Sequence, residues 1–425
     1  MSPLPTVFTR AFRLGLTLLV AAGCGGRTLV AQSDGRPGDD ASGAGPVEAA
    51  AGSSGQNDAA AGASGQGGAD GTAETGGSTG AAGQDGAAPD EPASSGGAWT
   101  DLTPPAPLPA AWPSARSTHA MAYDSARDRI VVFAGSHTLR DVWEWNPGTR
   151  TWTERTPVTS ADSWPPPLYG HAMVYDAGRK KMFVFGGGTT VGVRDDSWEW
   201  DGAAGTWERR TTTTSPPALS AHAMAYDDAR GKVVLFGGYN NSFNGVARDL
   251  WEWDGALGTW TNRTPGAVQG PGPGPAPEAW PSARDATSLV FDLVRKKSVL
   301  FGGFDNAGTF FRDLWEWDGD SGTWMNRTPG ALPPSWPDAR GNHAAVYDAH
   351  RDRSVIFGGG ATRRDVWEWN AAAGTWSERL PSDPLADWPT GRAAHAMAYD
   401  SRRFDVILFG GCCTLQDLWS WNGGE

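Results

Sequence analysis

Five of the seven histidines, His119, His171, His222, His343 and His395, each stand directly before an alanine. Imidazole is a good metal ligand, so five rings facing a common axis could form a metal-binding ring. The plainer role, and the expected one, is a buried histidine at the start of a strand, satisfied by neighbouring backbone. Five of the seven tyrosines recur in the same way, at Tyr123, Tyr175, Tyr226, Tyr347 and Tyr399, and are expected to pack. Five glutamates sit inside Trp-Glu-Trp triplets, Glu144, Glu199, Glu252, Glu316 and Glu368, and eleven residues after each comes an arginine: Arg155, Arg210, Arg263, Arg327 and Arg379. A carboxylate could act as a general acid or base, but one matched to an arginine in every copy reads as a structural ion pair. Residues present in nearly every copy are needed by every copy, so residues that occur once are the better functional candidates. His137, His350, Tyr169 and Tyr239 are what remains of the histidines and tyrosines, and they supply no nucleophile, base and acid set. A binding module is therefore expected rather than an enzyme, with no metal or other cofactor. The neighbours Cys412 and Cys413 are compatible with a vicinal disulfide or with two thiols, and two thiolates alone are a weak metal signal.

The elements that position these residues come from an internal repeat. Aligned on the His-Ala dipeptide or its equivalent, copies start at His119, His171, His222, Thr287, His343 and His395, at intervals of 51 to 65 residues. Each copy has four short segments of strand character divided by turn residues, as in HAMAYD, KVVLFGG, DLWEWD and TWTNRT of the third. Four strands at this period predict a blade of a β-propeller. Apolar residues on both sides of each strand fit a sheet covered on both faces.

The residues resemble the Kelch repeat, with a glycine pair after the second strand (Gly237 and Gly238), an aspartate before the third (Asp249) and a tryptophan in the fourth (Trp260). The first copy departs with Ala134 for the first glycine and the fourth with Thr287 for the histidine. The resemblance covers residues 99–425 and implies an all-β, six-bladed Kelch-type propeller. Copy six, ending DLWSWNGGE, lacks a fourth strand, and AWTDLTP at Ala98 to Pro104 lines up with the fourth strand TWTERTP of copy one. Pairing that N-terminal strand with Asp417 to Trp421 would close the ring and leave no free sheet edge. The sixth blade has Ser420 for the glutamate and the N-terminal strand has Leu102 for the arginine, so both ion-pair partners are absent together. Galactose oxidase is similar in propeller class and holds copper with tyrosines and histidines. Here His350 falls on the face opposite His137, so no such copper site is expected.

Composition divides the chain. None of the 23 tryptophans lies in residues 1–98. Arg10 and Arg13, then an apolar run to Gly23, read as a secretory signal (1–23) too short to span a membrane. Val-Ala-Ala-Gly before Cys24 resembles the lipobox of bacterial lipoproteins, with Ala21 where that motif usually has leucine. The resemblance implies a lipid-modified Cys24 anchoring an exported protein in the bacterial cell envelope, at the outer membrane or cell surface. Residues 24–98, rich in Ala, Gly, Ser and Asp, cannot bury enough apolar surface to fold and are expected to be a disordered tether. A formal net charge of −13 argues against nucleic acid as a partner.

Up-and-down strands put the loops between second and third strands and the links between blades on one face. Length variation falls there, so that face is where function is expected. Its long loops carry Tyr239, Asn240, Asn241 and Phe243 in the third blade and Phe304, Asp305, Asn306, Phe310 and Phe311 in the fourth. Aromatics beside asparagines suit a protein or a polysaccharide. Arg116, Arg284, Arg340 and Arg392 precede the first strands on the same face, with Leu168 and Leu219 in their place in blades two and three. A lopsided arginine rim would recognise carboxylates. It is also the feature behind an alternative, since some Kelch-type propellers isomerise sialic acids. A purely structural envelope protein is a third expectation, and in each the propeller is monomeric.

Overall fold

The structure is a computed structural model that describes residues 97–425 apart from 157–162, 243–244, 267–278, 361, 381–386, 413 and 425. Cys24, the signal and most of the tether, together with Phe243 and Cys413, lie outside the described residues. Among the described residues every regular element is a strand. They form six four-stranded antiparallel sheets, in blade one Ala120–Asp124, Arg129–Phe133, Val142–Asn146 and Thr151–Glu154. The first strand of each blade touches the first strand of the next, and blade six touches blade one, so the six inner strands ring an axis.

The sixth sheet consists of Ala396–Asp400, Asp405–Gly411, Leu415–Trp421 and the N-terminal strand Trp99–Asp101. Its register is Trp99 opposite Trp421, Thr100 opposite Ser420 and Asp101 opposite Trp419. Trp421 therefore meets Trp99 as Trp145 meets Trp152 in blade one. Trp99 is buried, with ring centroids 5.3 Å from Phe357 and 5.5 Å from Trp421.

Five tryptophans of the interblade links, Trp112, Trp164, Trp280, Trp336 and Trp388, roof these pairs. Each indole nitrogen donates to a backbone carbonyl of the preceding blade, in the second-to-third connection for four of them and at Gln416 of the third strand for Trp112, at 2.6 to 2.9 Å. The link into blade three has no tryptophan. Its place against Trp253 is taken by Phe183 of blade two, stacked at 4.9 Å where other blades carry valine or isoleucine.

The five Glu/Arg pairs form, at 3.9, 4.0, 3.6, 3.5 and 2.8 Å in chain order. In four blades a closer partner is an arginine from the first-to-second-strand turn: Arg127 to Glu144 at 2.8 Å, Arg179 to Glu199 at 2.6 Å, Arg230 to Glu252 at 2.7 Å and Arg351 to Glu368 at 2.6 Å. These arginines need space in the next blade. A Cβ on Gly202, Gly255, Gly319 or Gly423 would overlap the guanidinium of Arg127, Arg179, Arg230 or Arg351.

Blades five and one carry Ala371 and Pro147 at that glycine position, and there the arginine of the preceding blade goes elsewhere. Arg295 forks onto Asp352 at 2.7 and 2.7 Å, and Arg403 onto Asp128 at 2.7 and 2.8 Å. Asp352 and Asp128 follow the turn arginine in those two blades only; the others have Lys180, Gly231, Lys296 and Phe404. The guanidiniums hold both carboxyls below the usual aspartate range. Glu316, left without a turn arginine, is pushed up by burial, which Arg327 only partly offsets.

This exchange of a glycine for an aspartate generates a prediction. Gly202→Ala should cost about 1–3 kcal/mol by crowding Arg127. Adding Lys180→Asp, whose backbone at φ 57° matches Asp128 at 58°, should recover part of the loss, a coupling of about 1 kcal/mol. Urea denaturation of the four proteins measures it, and strictly additive losses would show that Arg127 does not switch partners.

Candidate functional site

The variable face is built from the links and the second-to-third connections, which pair locally where the chain is long. In blade two Gly188–Thr189 pairs with Gly192–Val193, and in blade three Tyr239–Asn240 pairs with Gly245–Val246. Single bridges join Tyr169 to Gly188, Ser220 to Tyr239, Asp285 to Phe304 and Phe304 to Phe310. The residue after the glycine pair is thereby tied to the residue two before the histidine position, around the mouth of the axis. Bulk there is uneven. Tyr169, Tyr239 and Phe304 occupy the side of blades two to four, whereas Gly341, Gly360, Ala393, Cys412, Ser117 and Ser136 leave the side of blades five, six and one low. His137 packs on Tyr169 with centroids 4.3 Å apart.

The expected ligand residues separate into three groups. Phe304, Phe310, Asp305 and Asn306 lie together: the two rings are 5.2 Å apart, Phe304 leans on Gly341, and Phe310 is 51% exposed. The Asp305 carboxylate accepts the Thr309 amide at 2.8 Å and so shapes its own loop. Tyr239 is half-buried and Asn241 exposed. Asn240 belongs to the scaffold instead, being 2% exposed, donating to the Ala218 carbonyl and accepting the Ser242 amide, both at 2.7 Å. Phe311 lies against the Arg284 guanidinium, 4.2 Å from ring centre to Cζ, and shields it.

The arginine rim is not present. Arg116, Arg284, Arg340 and Arg392 are 0, 0, 1 and 0% exposed, each forked onto an aspartate: Asp141, Asp313, Asp365 and Asp417. One nitrogen of each also donates to the carbonyl before the second glycine of the pair, as Arg116 does to Ala134 at 2.9 Å. Burial would raise the Asp365 and Asp417 carboxyls, but the bonds and charge of Arg340 and Arg392 prevail and hold them low. The same aspartates accept the indole N–H of Trp143, Trp315, Trp367 and Trp419 at 2.6 to 2.7 Å. A satisfied, desolvated pair of this kind fixes the loop and offers a ligand nothing. With Leu219 in the arginine position, Asp249 of blade three is raised by burial.

The recurring histidines ring the axis, and each faces the phenylalanine of the preceding blade edge-on, 5.1 to 5.7 Å between centroids. The backbone of that same phenylalanine is the polar neighbour of four of them, as expected: Phe409 for His119, Phe133 for His171, Phe185 for His222 and Phe357 for His395. These backbone contacts are loose, whereas Nε2 of His343 meets Ser288 Oγ at 2.8 Å. Thr287, the exception, donates to the Phe301 carbonyl of its own blade at 2.9 Å. Burial drives all five pKa values down, to about 4 for His171 and about 3 for His222 and His343. Among the described residues no group of three or more His, Cys, Asp or Glu is placed to hold a metal ion.

Fold and face together define a six-bladed β-propeller with a rigid axial lining and one variable loop surface. The model of the KLHDC2/KLHL20/DRC7 Kelch-repeats domain matches residues 97–276 and again 232–422, and the chain belongs to this Kelch-repeat family. It is 26% identical over 270 residues to Multiple epidermal growth factor-like domains protein 8 of Homo sapiens, covering 61% of this chain and 9% of that protein. Against Kelch domain-containing protein 3 of Homo sapiens the identity is 26% over 312 residues, 67% of this chain and 74% of the relative. Acyl-CoA-binding domain-containing protein 4 of Arabidopsis thaliana is 26% identical over 288 residues, 64% of this chain and 37% of that protein. The chain thus spans under a tenth of the first of these relatives. Kelch propellers generally act as protein-interaction modules.

Two sets of residues receive no role from a reading of the sequence: the link tryptophans beneath this face and the turn arginines of the opposite face. Both recur in sequence, at Trp-Pro in the links and at Arg in each first turn, and spacing alone assigns them no partner.

The histidine ring makes stability pH-dependent. Above pH 6.5 the rings are neutral folded and unfolded; below it the unfolded chain binds protons that the folded ring refuses until about pH 4 or lower, so stability falls with pH across that window. Each ring costs about 1.4 kcal/mol per pH unit. His222→Thr, which copies blade four, should lose about 2 kcal/mol less between pH 7 and 5 than the parent. Equal losses in urea titrations at the two pH values would refute this.

Proposed function

We propose that the propeller is a non-catalytic recognition module that binds a protein partner through the raised side of its variable face, built by blades three and four. The observation that carries this is the Phe304–Phe310 pair, an aromatic platform half open to solvent, flanked by Asn306 and held by backbone bridges. Exposed rings on a fixed backbone give contact area at little entropic cost, beside side-chain amides that set orientation. Tyr239 and Asn241 extend the surface into blade three. Polysaccharide remains within the chemistry of such a surface, whereas isomerisation of an acidic sugar loses its support with the burial of the four arginines. We further propose that the module is exported and tethered by a lipid on Cys24 to the bacterial cell envelope, a reading supported by the Val-Ala-Ala-Gly-Cys stretch. Labelling with a radioactive fatty acid in a bacterial host should mark the parent and not Cys24→Ala.

Capture from envelope extracts tests the surface. Phe310→Ala combined with Asn306→Ala should weaken retention of the partner at least tenfold while the thermal midpoint moves little, because both side chains are exposed. Retention equal to that of the parent would remove this face from the proposal.

A further inference from the structure

Blade two departs from the other blades beside its third strand, and a cavity of about 420 Å3 lies there between blades one and two on the variable face. Leu168 fills the position of the buried arginine, so Asp196 has no guanidinium beneath it. Its carboxylate is held from the outside. Arg194 donates to Oδ2 at 2.7 to 2.8 Å, and Arg209 to Oδ1. Both arginines line the cavity, with 41% and 54% of their side chains exposed, while Asp196 is 7% exposed.

Recurrence inside the chain marks this cluster as singular. The position of Arg209 holds Glu154, Asn262, Asn326 and Glu378 in the other complete blades. Two guanidiniums share one carboxylate, so the cluster has a net charge of +1 and more N–H donors than acceptors. Trp198, also on the wall, adds to the surplus: its indole nitrogen is buried without a partner, where Trp143, Trp315, Trp367 and Trp419 each donate to their aspartate. The rest of the wall combines flat apolar surface at Trp164, Pro166 and Pro167 with hydroxyls at Thr189 and Thr190, and is completed by His137, Arg140 and Val191. Trp164 is fixed by its 2.9 Å bond to the Arg140 carbonyl.

A guanidinium fork positioned by a buried carboxylate selects a carboxylate, flat apolar walls take the face of a ring, and hydroxyls pair with hydroxyls. An open pocket of this size has room for one or two sugar rings, and it offers no free sheet edge along which a peptide strand would pair. We propose that this cavity binds a carboxylate-bearing sugar residue, a uronic acid either free or as a unit of an anionic polysaccharide, with Arg209 and Arg194 on the carboxylate. The site is separate from the aromatic loops of blades three and four, so its failure leaves that surface untouched.

Isothermal titration calorimetry on the full chain decides it, with galacturonate, trigalacturonate, the neutral sugar galactose and a glutamate-rich peptide as probes. The expected result is binding of the uronates but not galactose, weakened at least tenfold in Arg209→Gln, an exposed change that leaves the core intact. Leu168→Arg, which installs the buried arginine of blades one, four, five and six beneath Asp196, should also abolish binding. Trigalacturonate binding tighter than galacturonate identifies the polymer as the source, and equal affinity the free sugar. No heat with either uronate at about 10 mM, equal binding of galactose, or unchanged affinity in Arg209→Gln overturns the proposal. Binding of the peptide in place of the uronates overturns it equally.

Discussion

The three residues Trp99–Asp101 hydrogen-bond to Leu415–Trp421 and in doing so join the two ends of the domain. A propeller blade has no hydrophobic core of its own, because both faces of its sheet are covered by neighbours. Without the closing strand the sixth sheet would end in an open edge, and the cluster of Trp99, Trp388, Trp421 and Phe357 would lose its central ring. Each remaining feature, including the shape of the variable face, presupposes that the circle is complete.

Within the circle the blades are held at three levels. Histidine rings stack on phenylalanines along the axis, link tryptophans roof the outer pairs beneath the variable face, and turn arginines reach into the next blade on the opposite face. Departures at one level are compensated nearby: Phe183 for the missing link tryptophan, Asp128 and Asp352 for the missing glycines, and Arg194 with Arg209 for the missing buried arginine. The first two restore packing or charge within the scaffold. The third restores the charge only by placing guanidiniums at the surface, and that separates a structural compensation from a candidate site.

Such division of labour explains how a repeat fold acquires an individual surface. The axial lining and the tight-turn face are over-determined by recurring contacts and tolerate little change. In blades one, four, five and six the second-to-third connections are pinned at their base by buried Arg–Asp forks, and in blades two and three the longer connections pair on themselves as short strands. Aromatic and polar residues on these connections match the protein-binding role of the Kelch-repeat family.

The sequence by itself determined the number of blades, the closing strand and its register, and the five Glu/Arg pairs. All of these follow from periodic patterns in which each residue's partner lies at a fixed offset along a hairpin. The two absences in blade six, Ser420 and Leu102, were legible for the same reason. Only the tertiary structure decided which arginines are available. Arg116 and Arg209 are the same chemical group in short polar segments, yet one is sealed against Asp141 and the other stands at a cavity, because a leucine forty-one residues before Arg209 occupies the buried position. Likewise no local pattern reveals that Ala371 sends Arg295 of the preceding blade to Asp352. Burial and partner choice depend on what the neighbouring blade presents, and that becomes defined only once the ring has closed.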